Sequence, residues 1–189
     1  MNKERIIVAA TGASGMPILK KCLELIREDG RFETGLIMSD SARLTMKYEL
    51  EESADEIRDL ADELFDVREI GAGPASGSYK VKGMLIVPCS MKTIAGICSG
   101  YADNLILRAA DVEIKEHRPL VLAARETPLS AIHLRNMQEL ARLSEVRIIP
   151  PMMTFYQKPK QIDDMVYHIA AKLLEPFGIE AKEYCRWNG

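Results

Sequence analysis

Histidine, tryptophan and paired cysteine are scarce in this sequence. Its 189 residues hold three histidines, one tryptophan and four cysteines. Cys22, Cys89, Cys98 and Cys185 form no Cys-x-x-Cys pair, and none lies close to a histidine. A zinc site needs tighter clustering, so no metal is expected and the cysteines read as free, packed thiols. Positive charge is not in excess either. Lys plus Arg is 25 against 28 for Asp plus Glu, a net charge of −3. That excludes a general polyanion binder, and no nucleic-acid partner is expected. No apolar run reaches the ~18 residues that span a bilayer. Met1 to Arg5 lead into a five-residue apolar run, too short for a signal segment. The expectation is a cytoplasmic protein with no membrane partner. Linkers, repeats and low-complexity tracts are missing too, so residues 1–189 read as one domain.

What the sequence does have is alternation between short apolar runs and longer amphipathic stretches. Ile6–Ala10, Thr34–Met38, Met84–Val87, Leu120–Ala124 and Val146–Ile149 read as buried strands. Met16 to about Glu28 reads as a helix ended by Gly30. An acidic helix is expected from Ser53, its N-cap, to Phe65. Further helices are expected through Ile94 and Ile97, over Asn104–His117, over Ser130–Leu143 and over Gln161–Leu174. In the Ser130 helix, Ile132, Leu134, Met137 and Leu140 form the expected apolar face, with His133 packed within it. Apolar strands separated by helices imply a parallel sheet covered on both faces. The fold expected is α/β, a three-layer, doubly wound, Rossmann-like domain.

Ligands in such sheets sit beyond the carboxyl ends of the strands. Thr11-Gly12-Ala13-Ser14-Gly15 follows the first strand there; its glycines permit a tight turn, and the helix start after it favours an anion. Cys89-Ser90-Met91-Lys92-Thr93 follows another strand and offers hydroxyls and helix N–H groups; the plain alternative for Ser90 is a cap. Pro74-Ala75-Ser76-Gly77-Ser78 is a small-residue loop of the kind that covers ligands, or simply a surface loop. Arg108, Asp111 and Lys115 share one side of a helix, as an ion-pair ladder or as a cationic wall. Arg125-Glu126, directly after an apolar strand, needs partners or water. Its arginine suits a phosphate or ring carbonyl, and its glutamate a proton shuttle. Tyr156 reads as a loop aromatic, Lys172 as a surface lysine and Arg186-Trp187 as a docked tail.

These strings, with Asn104–Asp111, Lys115-Glu116, Arg118–Leu122, Arg125–Ser130 and Ile132–Leu134, occur in this order in UbiX-type flavin prenyltransferases, and from Arg5 to Trp187 the chain resembles that family. The resemblance implies transfer of a dimethylallyl group from dimethylallyl monophosphate to N5 and C6 of reduced FMN, with no metal. The prenylated FMN would pass to a UbiD-type decarboxylase. It implies FMN contacts at Gly12, Ala13, Ser14, Ser39, Ser90, Met91, Lys92, Thr93 and Arg125. It implies donor contacts at Arg108, Lys115, Tyr156, Lys172 and Trp187, and proton transfer by Glu126 beside Ser14. Lys172 stands where well-known relatives carry arginine, which keeps the charge and loses the bidentate fork. The resemblance also implies a homo-oligomer, a dodecamer, with the tail from about 176 to 189 docking on a neighbouring subunit. Two other readings share the architecture: an FMN-dependent cysteine-type decarboxylase, and a non-catalytic, flavin-carrying component of a hydroxyarylic acid decarboxylase.

Overall fold

The computed structural model describes residues 3–187. In chain order the elements are β1 Glu4–Ala10, α1 Met16–Asp29, β2 Phe32–Met38, α2 Asp40–Glu49, α3 Ala54–Arg58, β3 Glu63–Phe65, β4 Gly83–Cys89, α4 Met91–Ser99, α5 Leu105–Lys115, β5 Leu120–Ala124, α6 Ala131–Leu140, β6 Val146–Ile148 and α7 Ile162–Leu174. The six strands form one parallel sheet in the order β3-β2-β1-β4-β5-β6. The chain winds outward one way from β1 to β3 and the other way from β4 to β6. The reversal lies between β1 and β4, and that switch point is where such sheets leave a crevice.

The continuous apolar strands are explained by burial on both sides. Ile6, Val8, Leu85 and Val121 face a core built with α1 and α7. Ile7, Ala9, Met84, Ile86, Leu120 and Leu122 face a second core built with α4 and α5. Successive residues of a strand point to opposite faces, so a sheet covered twice needs apolar residues at every position.

Two expectations are corrected. The acidic helix does not run to Phe65. Ser53 caps it through a capping box with Glu56, but the helix ends at Arg58. Glu63–Phe65 instead pairs with Gly35–Ile37 as an edge strand. Three residues are too few to show a period of two, and Leu64 stays 42% exposed at this edge. The second correction concerns α6. Leu140 is buried and Met137 packs against the core, but Ile132 and Leu134 are exposed at 60% and 53%. His133 is half-buried and not a core residue. It completes a capping box, with Ser130 N–H on its Nδ1 at 3.2 Å and its own N–H on Ser130 Oγ at 3.2 Å.

Candidate active site

Backbone stitching brings the strand ends into one rim. Thr11 is 4% exposed, and its N–H and hydroxyl both donate to the Pro88 carbonyl, at 3.1 and 2.9 Å. Its Oγ1 then accepts the Ser90 N–H at 2.8 Å. Ser39 N–H reaches the Ala10 carbonyl at 3.1 Å, and Arg125 N–H the Cys89 carbonyl at 3.0 Å. The segments after β2, β1, β4 and β5 therefore stand side by side, as expected from the sequence.

At the switch point the segments after β1, β2 and β4 enclose a cleft of about 290 Å³, and Arg125 does not line it. Gly12, Ser39, Ser41, Ser90, Lys92 and Thr93 line it, with Asn104 and Leu107 from the start of α5. A side chain at Gly12 would run into Ser41, so the first turn needs glycine to lie this close. Ser39 caps α2, its Oγ accepting the Ala42 N–H at 3.0 Å. Ser90 precedes α4 but makes no cap bond; its hydroxyl meets that of Thr93 at 3.1 Å. The N–H groups opening α4 thus keep no side-chain cap, beside the exposed Lys92. Amide donors, four nearby hydroxyls and one ammonium suit a phosphorylated polyol chain.

The start of α1 differs. The sequence leaves its N–H groups to an external anion, but Glu49 supplies the anion. Its Oε2 accepts the N–H groups of Gly15 and Met16, both at 2.8 Å. Burial pushes the Glu49 carboxyl up, but Ser14, these two N–H groups and the nearby Arg125 charge outweigh burial and hold it below its ordinary value. Sequence reasoning missed Glu49. It lies at the end of an amphipathic helix, and nothing local marks it. Ser14 is exposed, and Ala13 and Met91 are buried and do not line the cleft. Glu126 lies exposed past the end of β5, with Oε1 accepting the Thr127 N–H at 3.0 Å. The carboxylate at the Ser14 turn within this chain is Glu49.

The remaining predicted residues fall into two separate groups. Tyr156, Lys172 and Trp187 line a second cavity of about 270 Å³, with Pro150, Met152 and His168. It lies on the same rim, past the end of β6, and shares no lining residue with the first cleft. The Tyr156 and Trp187 rings lie 5.2 Å apart and are exposed at 71% and 69%. Lys172 Nζ pairs with Glu175 at 2.6 Å, which raises its pKa despite partial burial, and Glu175 also holds Arg186 at 2.8 Å. The tail thus packs on α7 of its own chain, and Phe177 and Ile179 enter the core. Arg108 pairs with Asp111 at 2.7 Å. Lys115 lies at the far end of α5, roughly 16 Å along the helix from Asn104 at 1.5 Å per residue. There it pairs with Glu116, beside the Pro74–Ser78 loop, which lies against Lys115 and not over this chain's cleft.

Comparison with known proteins decides the lineage. The flavoprotein family model matches residues 1–174. A probable UbiX-like flavin prenyltransferase from Streptomyces sp. (strain D7) is 48% identical over 185 residues, covering 98% of this chain and 92% of the relative. The chain belongs to the UbiX-like flavin prenyltransferase family. Among solved structures, AnUbiX (PadA1) in complex with FMN and dimethylallyl pyrophosphate superposes with a TM-score of 0.96 at 45% identity, covering 100% of this chain and 99% of that one. A dodecameric FMN-dependent UbiX-like decarboxylase from Escherichia coli O157:H7 gives 0.95 at 46% identity over 98% and 100%. The buried thiols agree with the sequence reading: burial pushes Cys22 and Cys89 well above the ordinary thiol range, whereas Cys185 is exposed. Among the described residues no cluster of His, Cys, Asp and Glu would hold a metal ion, and no helix is long and apolar enough to cross a membrane.

Proposed function

We propose that this enzyme transfers a dimethylallyl group from dimethylallyl monophosphate to N5 and C6 of reduced FMN. The observation that carries the reading is the cleft at the β1/β4 switch point, whose hydroxyls, uncapped α4 N–H groups and Lys92 match the ribityl phosphate of that flavin. Reduced FMN supplies the nucleophilic ring atoms when bound. Ser90 and Thr93 would hold the polyol end, and Arg125, close enough to act on Glu49, would supply donors for the ring carbonyls. Glu49 orients Ser14 in the turn after β1. Glu126 would serve both proton movements that closing the second bond requires, donating one to the alkene left after the first transfer and taking back the one lost from C6.

Arg108, Lys115 and Lys172 balance the charge of the leaving phosphate. The π faces of Tyr156 and Trp187 stabilise positive charge developing on the allyl group in a water-poor wall. One chain keeps these groups apart, so they serve one reaction only if neighbouring copies in a homo-oligomer bring them together; the dodecameric relative supports this. The exposed rings of Tyr156 and Trp187 are then the surface a neighbour covers. The product passes to a UbiD-type decarboxylase. Anaerobic incubation with reduced FMN and dimethylallyl monophosphate should give a flavin heavier by one five-carbon unit, with altered absorbance. Recovery of unmodified FMN would overturn the assignment.

A further inference from the structure

Glu113 is the most deeply buried carboxylate in the described chain, at 2% exposure, and the chemistry above does not use it. Its Oε2 has no hydrogen-bond partner, and its Oε1 faces Arg118 Nη1 at 3.5 Å. Arg118 in turn donates to two carbonyls of the loop between β3 and β4: to Gly77 at 2.5 Å and to Tyr79 at 3.1 Å. Its Nη2 also lies 3.8 Å from Glu116, the carboxylate that pairs with Lys115. At Gly77 the loop touches the end of α5 so closely that an added Cβ would sit 2.7 Å from Lys115 Nζ and collide with Glu116. A side chain at this position would push the ends of Lys115 and Glu116 aside. Pro74 is buried beneath, and the short 3-10 turn Gly73–Ala75 packs on α5.

We propose that Arg118 is a positioning residue for the donor phosphate. It fastens the Gly73–Tyr79 loop onto the end of α5, and so confines Lys115 between Gly77 and Glu116. Glu113 is the buried carboxyl that aims the guanidinium. A bidentate fork onto two carbonyls is a job lysine does poorly. The inference rests on the assignment of Lys115 to the donor phosphate.

The test uses Arg118→Met, Arg118→Lys and the double variant Arg118→Met/Glu113→Gln. The single Met variant leaves a buried carboxylate without its cation and is expected to lose stability; the double variant removes both charges and regains much of it. If Arg118 acts by positioning, the KM for dimethylallyl monophosphate rises on the order of 10-fold in both, because a loosened cation is misplaced. FMN affinity stays unchanged, kcat falls less than KM rises, and the Lys variant is intermediate. Amide hydrogen exchange across residues 73–79 rises in step with KM. A KM that recovers with stability in the double variant would reduce Arg118 to a structural role and overturn the proposal, as would unchanged exchange in the loop. A wild-type protein that transfers no prenyl group would overturn the donor half through its parent assignment, while the exchange measurement still decides the fastening.

Discussion

Two carboxylates with opposite environments show what single residues do here. Glu126 sits exposed past the end of β5 beside Arg125, in reach of solvent protons. Replacing it with Gln keeps shape and removes the proton acceptor. FMN should bind as before, and the transfer rate should fall about 10²–10⁴-fold, the usual contribution of general acid–base catalysis. Anaerobic single-turnover absorbance checks it; an unchanged rate removes Glu126 from the mechanism. Glu113 is the reverse case. Burial, opposed by Arg118 and assisted by Glu116, pushes its pKa up from 4.5 to about 7. Between those values the folded chain holds a proton that the unfolded chain has released. The Glu113 contribution to stability therefore falls as pH rises through this window. Gln does not titrate. The stability of wild type relative to Glu113→Gln should thus decline from pH 4.5 to about 7 and then level off, by about 3.4 kcal/mol as a ceiling. Paired thermal melts on either side of the window measure it, and a flat difference would contradict the burial argument.

Elements show why part of the molecule was legible in the sequence and part was not. Within β1, β2, β4 and β5 the runs 6–10, 35–38, 84–87 and 120–124 are uninterrupted by polar residues because both sheet faces are covered, and that pattern is local. So are the Ser53 and Asn104 caps and the Gly30 stop. β3 was hidden because its only specification is the open edge of β2, a tertiary fact. The α6 face was misjudged because its spacing says which residues share a side, not whether another element covers it. Glu49 was invisible for the same reason: it meets Gly15 and Met16 across 33–34 residues. Its importance belongs to α1 as a whole. Two N–H bonds to an ionised carboxylate at a helix start, aided by the helix dipole, contribute about 1–3 kcal/mol. Glu49→Gln should lower stability by that order in urea unfolding at neutral pH. Because its pKa is depressed, the wild-type advantage is full above the ordinary carboxylate value and fades as pH falls through the lowered one. A penalty independent of pH would show that packing and not charge secures the turn.

At the scale of the whole molecule, the site residues divide by location and not by role. The cleft at the β1/β4 switch point and the Tyr156–Lys172–Trp187 cavity share no lining residue, and Lys115 lies at the other end of α5. Bending one chain to close these gaps would tear through two packed cores. Adding a neighbour would leave the fold intact and would cover apolar surface such as Met152, Met153 and Phe155, which are 61–70% exposed. If copies complete each other, two inactive variants should rescue one another. Glu126→Gln supplies an intact Lys172, and Lys172→Met supplies an intact Glu126. In randomly mixed oligomers each site draws the two groups from different chains, so about one quarter of sites should be whole. Co-expression with distinct tags, then purification of mixed assemblies on both, should restore about a quarter of wild-type transfer. If both groups came from the same chain, every site would carry one lesion and mixing would restore nothing. The quarter therefore separates a shared site from a self-contained one without requiring the subunit count.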